Sequence, residues 1–595
     1  MANVVTVLGA GNVVMALFSG GSFSNRPQNM ADGITGGVLA GSLLPPVDVT
    51  AAAPVPQPGP KGTMIDTISG AAVAEPAGFG AVVMATLGAA TLFGNGGANQ
   101  SILSSIGALT YVPTGGSGTL VAGGARNTVL LPASGSGAFQ INLDAGLGAN
   151  TVIGGSGPLT LTDADRDFVA LGSGDATVYA TTGDTIIGGS GALALGANAL
   201  LGANLIVLGS GDAAIGGGSY YAANTIIGGS GNLVYTDVSN PSGMAATTVI
   251  GGTGSSTITS YAPNSLFTGG TAGQNVITSF GVGDTILAGG AGDVVSLRGS
   301  AALVVAAAGA ETITAVAAGR DTIYGGSGPD LIQAAAFGGN LIVAGSGGGT
   351  IVSAGAANMI WLQGGSTAVV SSAADTIVGG NGAAAVNASG AALVFGGAGN
   401  LIVTTGAGAA TLAGGAGSAT IQAGAGGGFF ASGAGGHSLL QSGAGRTTLL
   451  GAAGGDTLLA GGAAGDLLAG GAGAETLSAA PSTGNNLLFA GSGNTSLIGG
   501  GGADVLIAGQ GNDTFATGTG PDLIAFIHGR AGGSDIVEGF RRQFDALSLQ
   551  GYGATAATDA LATATIAGGN TTLALPDGTR VTLLGVASLA TLDFV

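Results

Sequence analysis

The chain is written in a short phrase that recurs. It consists of an Asp or Asn, one further residue, two or three apolar residues, then a glycine-rich turn. The phrase reads ATLFGNGG at Ala90, with alanine in the polar place, and NTVLL at Asn127. It continues as NTVIGGSG at Asn150, DFVALGSG at Asp167, DTIIGGSG at Asp184, NLIVLGSG at Asn204 and NTIIGGSG at Asn224. It goes on from Thr247 through Asn264, Asp284, Asp321, Asn340 and Asp375. From Asn150 to Asn224 the starts are spaced 17, 17, 20 and 20 residues apart. The gap of 37 between Asp284 and Asp321 is two such steps, with AAGAETIT at Ala307 filling the missing one.

A second apolar triplet follows many of the glycine turns, at Leu159, Thr177, Leu233, Leu331 and Thr350. One repeat is therefore strand, turn, strand, turn in about 18 residues, which is one coil of a parallel β-helix or β-roll. Alternate residues of a triplet point inward, and the strand backbones pair with the coils on either side. One coil buries little alone, so only an array of them is stable. The predicted class is all-β, a parallel solenoid over residues 89–395.

From Gly396 the period tightens to nine, with units starting at Gly396, Thr405, Gly414, Ala423, Ser432, Ser442, Gly451, Gly461 and Gly470. The tightest run is Gly499 to Ala525, three tandem units that place Asp504, Asp513 and Asp522 at the same point. A β-roll of nonapeptides is expected over 396–525. Residues 1–88 lack the pattern and read as an arm or anchor, with a proline-rich linker over 45–60. Residues 526–595 leave the repeat. Their alternating apolar positions and the turn signal Pro576-Asp577-Gly578 predict antiparallel strands that cap the solenoid's open edge.

Composition narrows the function. Glycine, 124 of 595 residues, is far above ordinary usage, and 46% of residues are apolar against 7% charged. That balance opposes disorder. With 11 Lys and Arg against 30 Asp and Glu, the net charge is -19, which disfavours nucleic acid as a partner. There are no cysteines, so neither disulfides nor thiolate metal sites arise. No basic residue precedes Arg26, so a Sec-type leader is not expected. The uncharged run from Ala77 to Phe93 holds three glycines and is short for a bilayer, so no transmembrane span is expected.

Carboxylates set among glycine turns suit a hard cation that takes oxygen ligands. The nonapeptide Gly-Gly-x-Gly-x-Asp-x-apolar-x, closely followed from Gly499, resembles the RTX family of haemolysin-type calcium-binding repeats. The resemblance implies a calcium ion between units two apart. By that rule Asp504 and Asp522 form the best site, and Asp513 faces Thr495. Asp456 and Glu475 form another candidate, while Asp466 pairs only with Asn486. His437 and Thr447 stand where aspartate belongs in their units. GGSGPDLIQ at Gly325 is a full nonapeptide, which makes Asp330 the upstream candidate. The Asp/Asn column of the wider coils is expected to hydrogen-bond the turn backbones.

Catalysis has little to stand on. The two histidines form no His-Glu-x-x-His, and the cluster Asp163, Asp165 and Asp167 reads as a loop or an incidental ion site. Leu592-Asp593-Phe594-Val595 is similar to the uncleaved export signal of type I-secreted RTX proteins. The expected function is a secreted calcium-binding structural protein that self-assembles at the cell surface, resembling RTX-type S-layer proteins. Its partner would be itself, with cell-surface polysaccharide as a further one. The alternative is an RTX adhesin or a carbohydrate-active β-helix protein.

Overall fold

A computed structural model describes residues 2–7, 13–18, 26–40, 43, 46–49, 62–66, 69–70, 72–75, 77–104, 107–124, 126–143, 148–163, 165–196, 203–216, 223–237, 245–316, 319–334, 338–452 and 454–595. The chain forms two units, Met1–Leu303 and Val304–Val595. Each is a parallel β-solenoid whose successive strands alternate between two sheets.

In the first unit, sheet I runs from Pro46–Val49 and Gly62–Asp66 to Val294–Leu297. Sheet II runs from Ala72–Ala74 to Thr285–Leu287. Registers follow the repeat: Val152 lies beside Val169, and Val169 beside Ile186. The middle residue of each triplet faces the core, and Val152, Val169, Ile186 and Ile206 are fully buried. Each such side chain contributes roughly 1.5–3 kcal/mol. Most of its contacts are to neighbouring coils, so the stabilisation belongs to the stack.

Parallel pairing starts upstream of the expected boundary at residue 88. Gly62–Asp66 already pairs with Phe79–Met84. The uncharged run Ala77 to Phe93 supplies Phe79–Met84 to sheet I and most of Ala90–Gly94 to sheet II. Among the described residues no helix is long and apolar enough to cross a membrane. The helix Arg26–Leu39 packs Ala31 and Ile34 against Ile65, Ala81, Val83, Leu103 and Val121 of the first coils. Of the proline-rich stretch 45–60, only the strand Pro46–Val49 is described.

In the second unit, sheet I runs from Thr312–Ala315 to Ser534–Glu538, and sheet II from Thr322–Tyr324 to Ala546–Gln550. In the nonapeptide run Ser496 lies beside Thr514 and Val505 beside Leu523. Both steps are 18 residues, so two nonapeptides make one coil and units two apart are neighbours. Glycine is required where turns stack: a Cβ on Gly518 would stand 2.0 Å from the Gly500 carbonyl oxygen.

The expected antiparallel cap is only partly so. Ser534–Glu538 and Ala546–Gln550 continue the parallel stack. The antiparallel strands are Thr565–Ala567, Asn570–Ala574 and Arg580–Leu583, and the last also pairs parallel with Ser534–Glu538. Asp593 is buried, 2.9 Å from Arg542 Nη2, and the Val595 N–H donates to the Leu547 carbonyl.

Candidate metal centre

The buried polar residue before each strand builds a ladder. Its side-chain oxygen accepts the main-chain N–H of the equivalent residue one coil earlier. In the first unit the Leu109 N–H donates to Asn127 Oδ1, Asn127 to Asn150, Asn150 to Asp167, Asp167 to Asp184, Asp184 to Asn204 and Asn204 to Asn224, at 2.7–3.0 Å. Asparagine therefore closes the turn backbone with its amide oxygen, as its stacking implied. Replacing Asn204 by Leu leaves the buried Asp184 N–H without its acceptor and is expected to destabilise the first unit by about 1–3 kcal/mol. A urea melt of the variant checks this, and an unchanged midpoint would count against the ladder's importance.

Two expected positions are one residue out. Ser265, not Asn264, joins the ladder: it accepts from the Thr247 N–H and donates its own N–H to Asp284 Oδ1. Ser438, not His437, does so between Ala419 and Asp456. Asn264 and His437 are exposed and take left-handed backbone angles, φ 54° and 63°. Ala149, Arg166, Ala203 and Arg320 do the same immediately before their ladder residues. That residue turns the chain inward so that the next side chain can enter the column.

The nonapeptide aspartates occupy the same columns. On the sheet II side the Thr447 N–H donates to Asp466 Oδ1, Asp466 to Asn486, Asn486 to Asp504, and Asp504 to Asp522 at 3.0 Å. On the sheet I side Ser438 donates to Asp456, and Thr495 to Asp513 at 2.9 Å. Glu475 follows Asp456 by one coil, because Thr457 lies beside Thr476. Asp330, on sheet I, accepts from the Glu311 N–H. The structure thus brings together Asp504 with Asp522, Asp456 with Glu475, and Asp466 with Asn486, and sets Asp513 on Thr495.

A second contact holds each carboxylate. The N–H four residues earlier donates to it: Gly500 to Asp504, Gly509 to Asp513, Gly518 to Asp522, Gly471 to Glu475 and Gly326 to Asp330. Asp466 instead takes the Ser442 hydroxyl. All seven candidate side chains are buried. Burial, opposed by the Gly471 N–H and reinforced by the Asp456 charge, pushes Glu475 up to about 7. Burial, with the charges of Asp504 and Asp545 and against two backbone N–H groups, pushes Asp522 up to about 6. Desolvation likewise raises Asp466 and Asp513.

Two residues of these columns escaped the sequence pattern. The Asp513 N–H donates to Asp535 Oδ1 at 2.8 Å, and the Asp522 N–H to Asp545 Oδ1 at 3.1 Å. They lie 22 and 23 residues beyond their partners and follow no Gly-x-Gly. An aspartate one residue before an apolar pair, as in SDIVE and FDALS, is the only signal they leave.

The donor chemistry fits calcium. Between Gly451 and Ala525 there are six carboxylates and no Lys or Arg. Glu475 Oε1 is buried with no hydrogen-bond partner. Glycines leave the room: a Cβ on Gly470 would fall 2.5 Å from Glu475 Oε2, and one on Gly499 2.9 Å from Asp522 Oδ2. Among the described residues no three His, Cys, Asp or Glu side chains converge. A calcium ion here needs main-chain oxygens for the rest of its six to eight ligands.

The acidic cluster upstream does not converge. Asp167 is a rung, tied to Asn150 at 2.7 Å, Asp163 is buried after its strand, and Asp165 is exposed.

Coils of two nonapeptides, each carrying a buried carboxylate at the head of its strand, define a calcium-binding β-roll. The chain carries RTX calcium-binding nonapeptide repeats: the model of that repeat, in four copies, matches residues 317–351, 482–515 and 489–524. Asp330, Asp504, Asp513 and Asp522 fall within these spans, and Asp456, Asp466 and Glu475 outside them. No curated protein matches the chain.

Proposed function

We propose that this is a secreted, calcium-binding structural protein whose copies assemble side by side at a cell surface, as an S-layer or a matrix fibre. The observation that carries this reading is the outer face of sheet II. Its last triplet position is apolar in coil after coil. Leu130, Ile187, Ile250 and Leu287 are exposed in the first unit, and Tyr324, Trp361 and Phe395 in the second. Soluble monomers rarely leave large apolar patches uncovered; Thr268 interrupts the row in the first unit, and Val343 is buried within it in the second. The row repeats at the coil rise of about 4.8 Å, and a second copy offers the same spacing.

Calcium enters this reading through Asp504 with Asp522, Asp513, Asp456 with Glu475, Asp466 and Asp330, completed by turn carbonyls. Buried carboxylates without counter-charge oppose folding where calcium is scarce, and the ion supplies folding free energy where it is plentiful. That coupling suits a chain exported unfolded. A second, adhesive reading has one observation behind it. A shallow groove of about 460 Å³ on sheet I of the first unit is lined by Thr160, Thr177, Asp175, Asp212 and Asn232. Asp175 and Asp212 already accept N–H groups of the next coil, which suits glycan binding better than acid–base chemistry.

Electron microscopy of the purified chain with millimolar calcium tests the assembly. Ordered sheets or filaments are expected, and Trp361→Asp with Phe395→Asp should disperse them while leaving the circular dichroism unchanged. Monodisperse rods from the unaltered chain would sink the proposal.

A further inference from the structure

The two carboxylate columns of the second unit end differently. On the sheet II side the last rung is Asp545, and Arg541 closes it. The Arg541 N–H donates to Asp545 Oδ2 at 2.8 Å, and its Nη2 lies 2.9 Å from Oδ1. The same guanidinium donates to the carbonyls of Thr519, at 2.9 Å, and Gly520. Those carbonyls belong to TGTGPD, the turn that carries Asp522. A positive group therefore sits against the main-chain oxygens of a nonapeptide turn and the carboxylate one coil later.

On the sheet I side the last rung is Asp535, and nothing closes it in this way. The residue four before it is Ala531, whose N–H goes to the Ile527 carbonyl. The residue beside it on the next strand is Val581, which offers no polar side chain. Asp535 is 1% exposed, its Oδ1 takes the Asp513 N–H, and its Oδ2 has no hydrogen-bond partner. Burial first, then the Asp513 charge, push its carboxyl up to about 7 despite that N–H. In AGQGND the carbonyls of Gln510 and Gly511 stand where those of Thr519 and Gly520 stand in TGTGPD. The loop closes over them without side chains: a Cβ on Gly532 would lie 3.1 Å from the Gln510 oxygen, and one on Gly533 2.3 Å from that of Gly511.

We propose that Asp513 and Asp535, with the turn carbonyls of Gln510 and Gly511, bind one divalent cation beyond the last nonapeptide, in the place that the Arg541 guanidinium takes on the opposite column. The ligands are all oxygen, which selects calcium over softer metals. Two buried carboxylates and one divalent ion balance in charge. The proposal rests on the reading that the nonapeptide turns take calcium. It adds an ion outside the repeat, and it assigns Arg541 as the tethered cation that makes a matching ion unnecessary on the other side.

The test is calcium content per chain, measured by atomic absorption on the full chain after dialysis against a fixed free calcium concentration. Asp535→Asn is expected to hold one ion fewer than the unaltered chain, and Asp545→Asn the same number. Equal content in Asp535→Asn, or an ion lost from Asp545→Asn, overturns the proposal. A chain that binds no calcium at all overturns the nonapeptide reading and this one with it. Should Asp535→Asn not fold, hydrogen exchange of the unaltered chain decides. Calcium should slow exchange at the amides of Ser534 to Val537, and protection there independent of calcium overturns the site.

Discussion

Removing calcium is expected to unfold the nonapeptide coils of the second unit while the ladder of the first unit persists. The two ladders share a geometry and differ in their proportion of charge, the first mixing neutral rungs with Asp167, Asp184 and Asp284. Asn127, Asn150, Asn204 and Asn224 supply neutral acceptors, so those rungs need no ion. Asp504, Asp513, Asp522 and Glu475 are buried carboxylates in a stretch without Lys or Arg. An ion held at about a hundred times its Kd stabilises by about 2.7 kcal/mol, so two contribute about 5 kcal/mol. A domain's whole stability is about 5–15 kcal/mol. Hydrogen exchange in EDTA should therefore release the amides of Asp504 and Asp513 and leave those of Asn127 and Asn204, which donate to asparagine oxygens, protected. The thermal midpoint of the second unit should fall by more than 10 °C. An identical melt with and without EDTA would refute the calcium reading.

In chelator, acidification is expected to stabilise the protein, the reverse of ordinary acid denaturation. Burial lifts Asp522 to about 6 and Asp535 to about 7, from 3.8. It lifts Glu475 and Glu75 to about 7, from 4.5. Asp184, in the first unit, rises to about 6. A carboxyl whose folded pKa exceeds its unfolded one binds its proton more tightly in the folded chain. The folded chain then carries more protons between about pH 4 and 7, and stability falls as pH rises through that window. For a single group displaced as far as Asp535 the loss is roughly 4 kcal/mol. With calcium present the sign reverses, because protons compete with the ion for the same oxygens. Urea midpoints at pH 5 and pH 8 measure both arms: higher at pH 5 in EDTA, higher at pH 8 in calcium. A midpoint that rises from pH 5 to pH 8 in EDTA would show that these carboxylates are not desolvated.

Much of this was legible because a solenoid repeats its chemistry at a fixed interval. The 17- to 20-residue steps and the nonapeptide period both set the alternation of two strands per coil, and the polar column led to the ladder. What the pattern hides is a shift of one residue. The position before a rung needs a left-handed backbone, and Asn264 and His437 satisfy that need while looking like rungs themselves. Ser265 and Ser438, the true rungs, resemble ordinary turn serines. Asp535 and Asp545 were hidden for another reason. Their coils are lengthened to 22 and 23 residues by loops that lack the Gly-x-Gly spacing, so only the three-dimensional register returns them to the columns. The first coils lack the polar column and its Gly-x-Gly turns, and their pairing upstream of residue 88 left no period to read.

The ladder also has a sense. Every rung runs from a main-chain N–H to a side chain of the following coil, never the reverse. In this column a coil is thus finished by its successor, whereas the exposed turn positions Asp175, Asp212 and Asn232 accept from the coil that follows them. Cutting the stack strips different things from its two fragments. At the ladder column the upstream one is left with bare backbone donors, and the downstream one with carboxylate and amide oxygens that water can serve. Growth onto an existing edge is unequal for the same reason. A coil arriving on the upstream side meets acceptors already fixed in place. Each unit therefore has two unlike edges at this column, and in the second unit the coil closed by Arg541 lies at the downstream one.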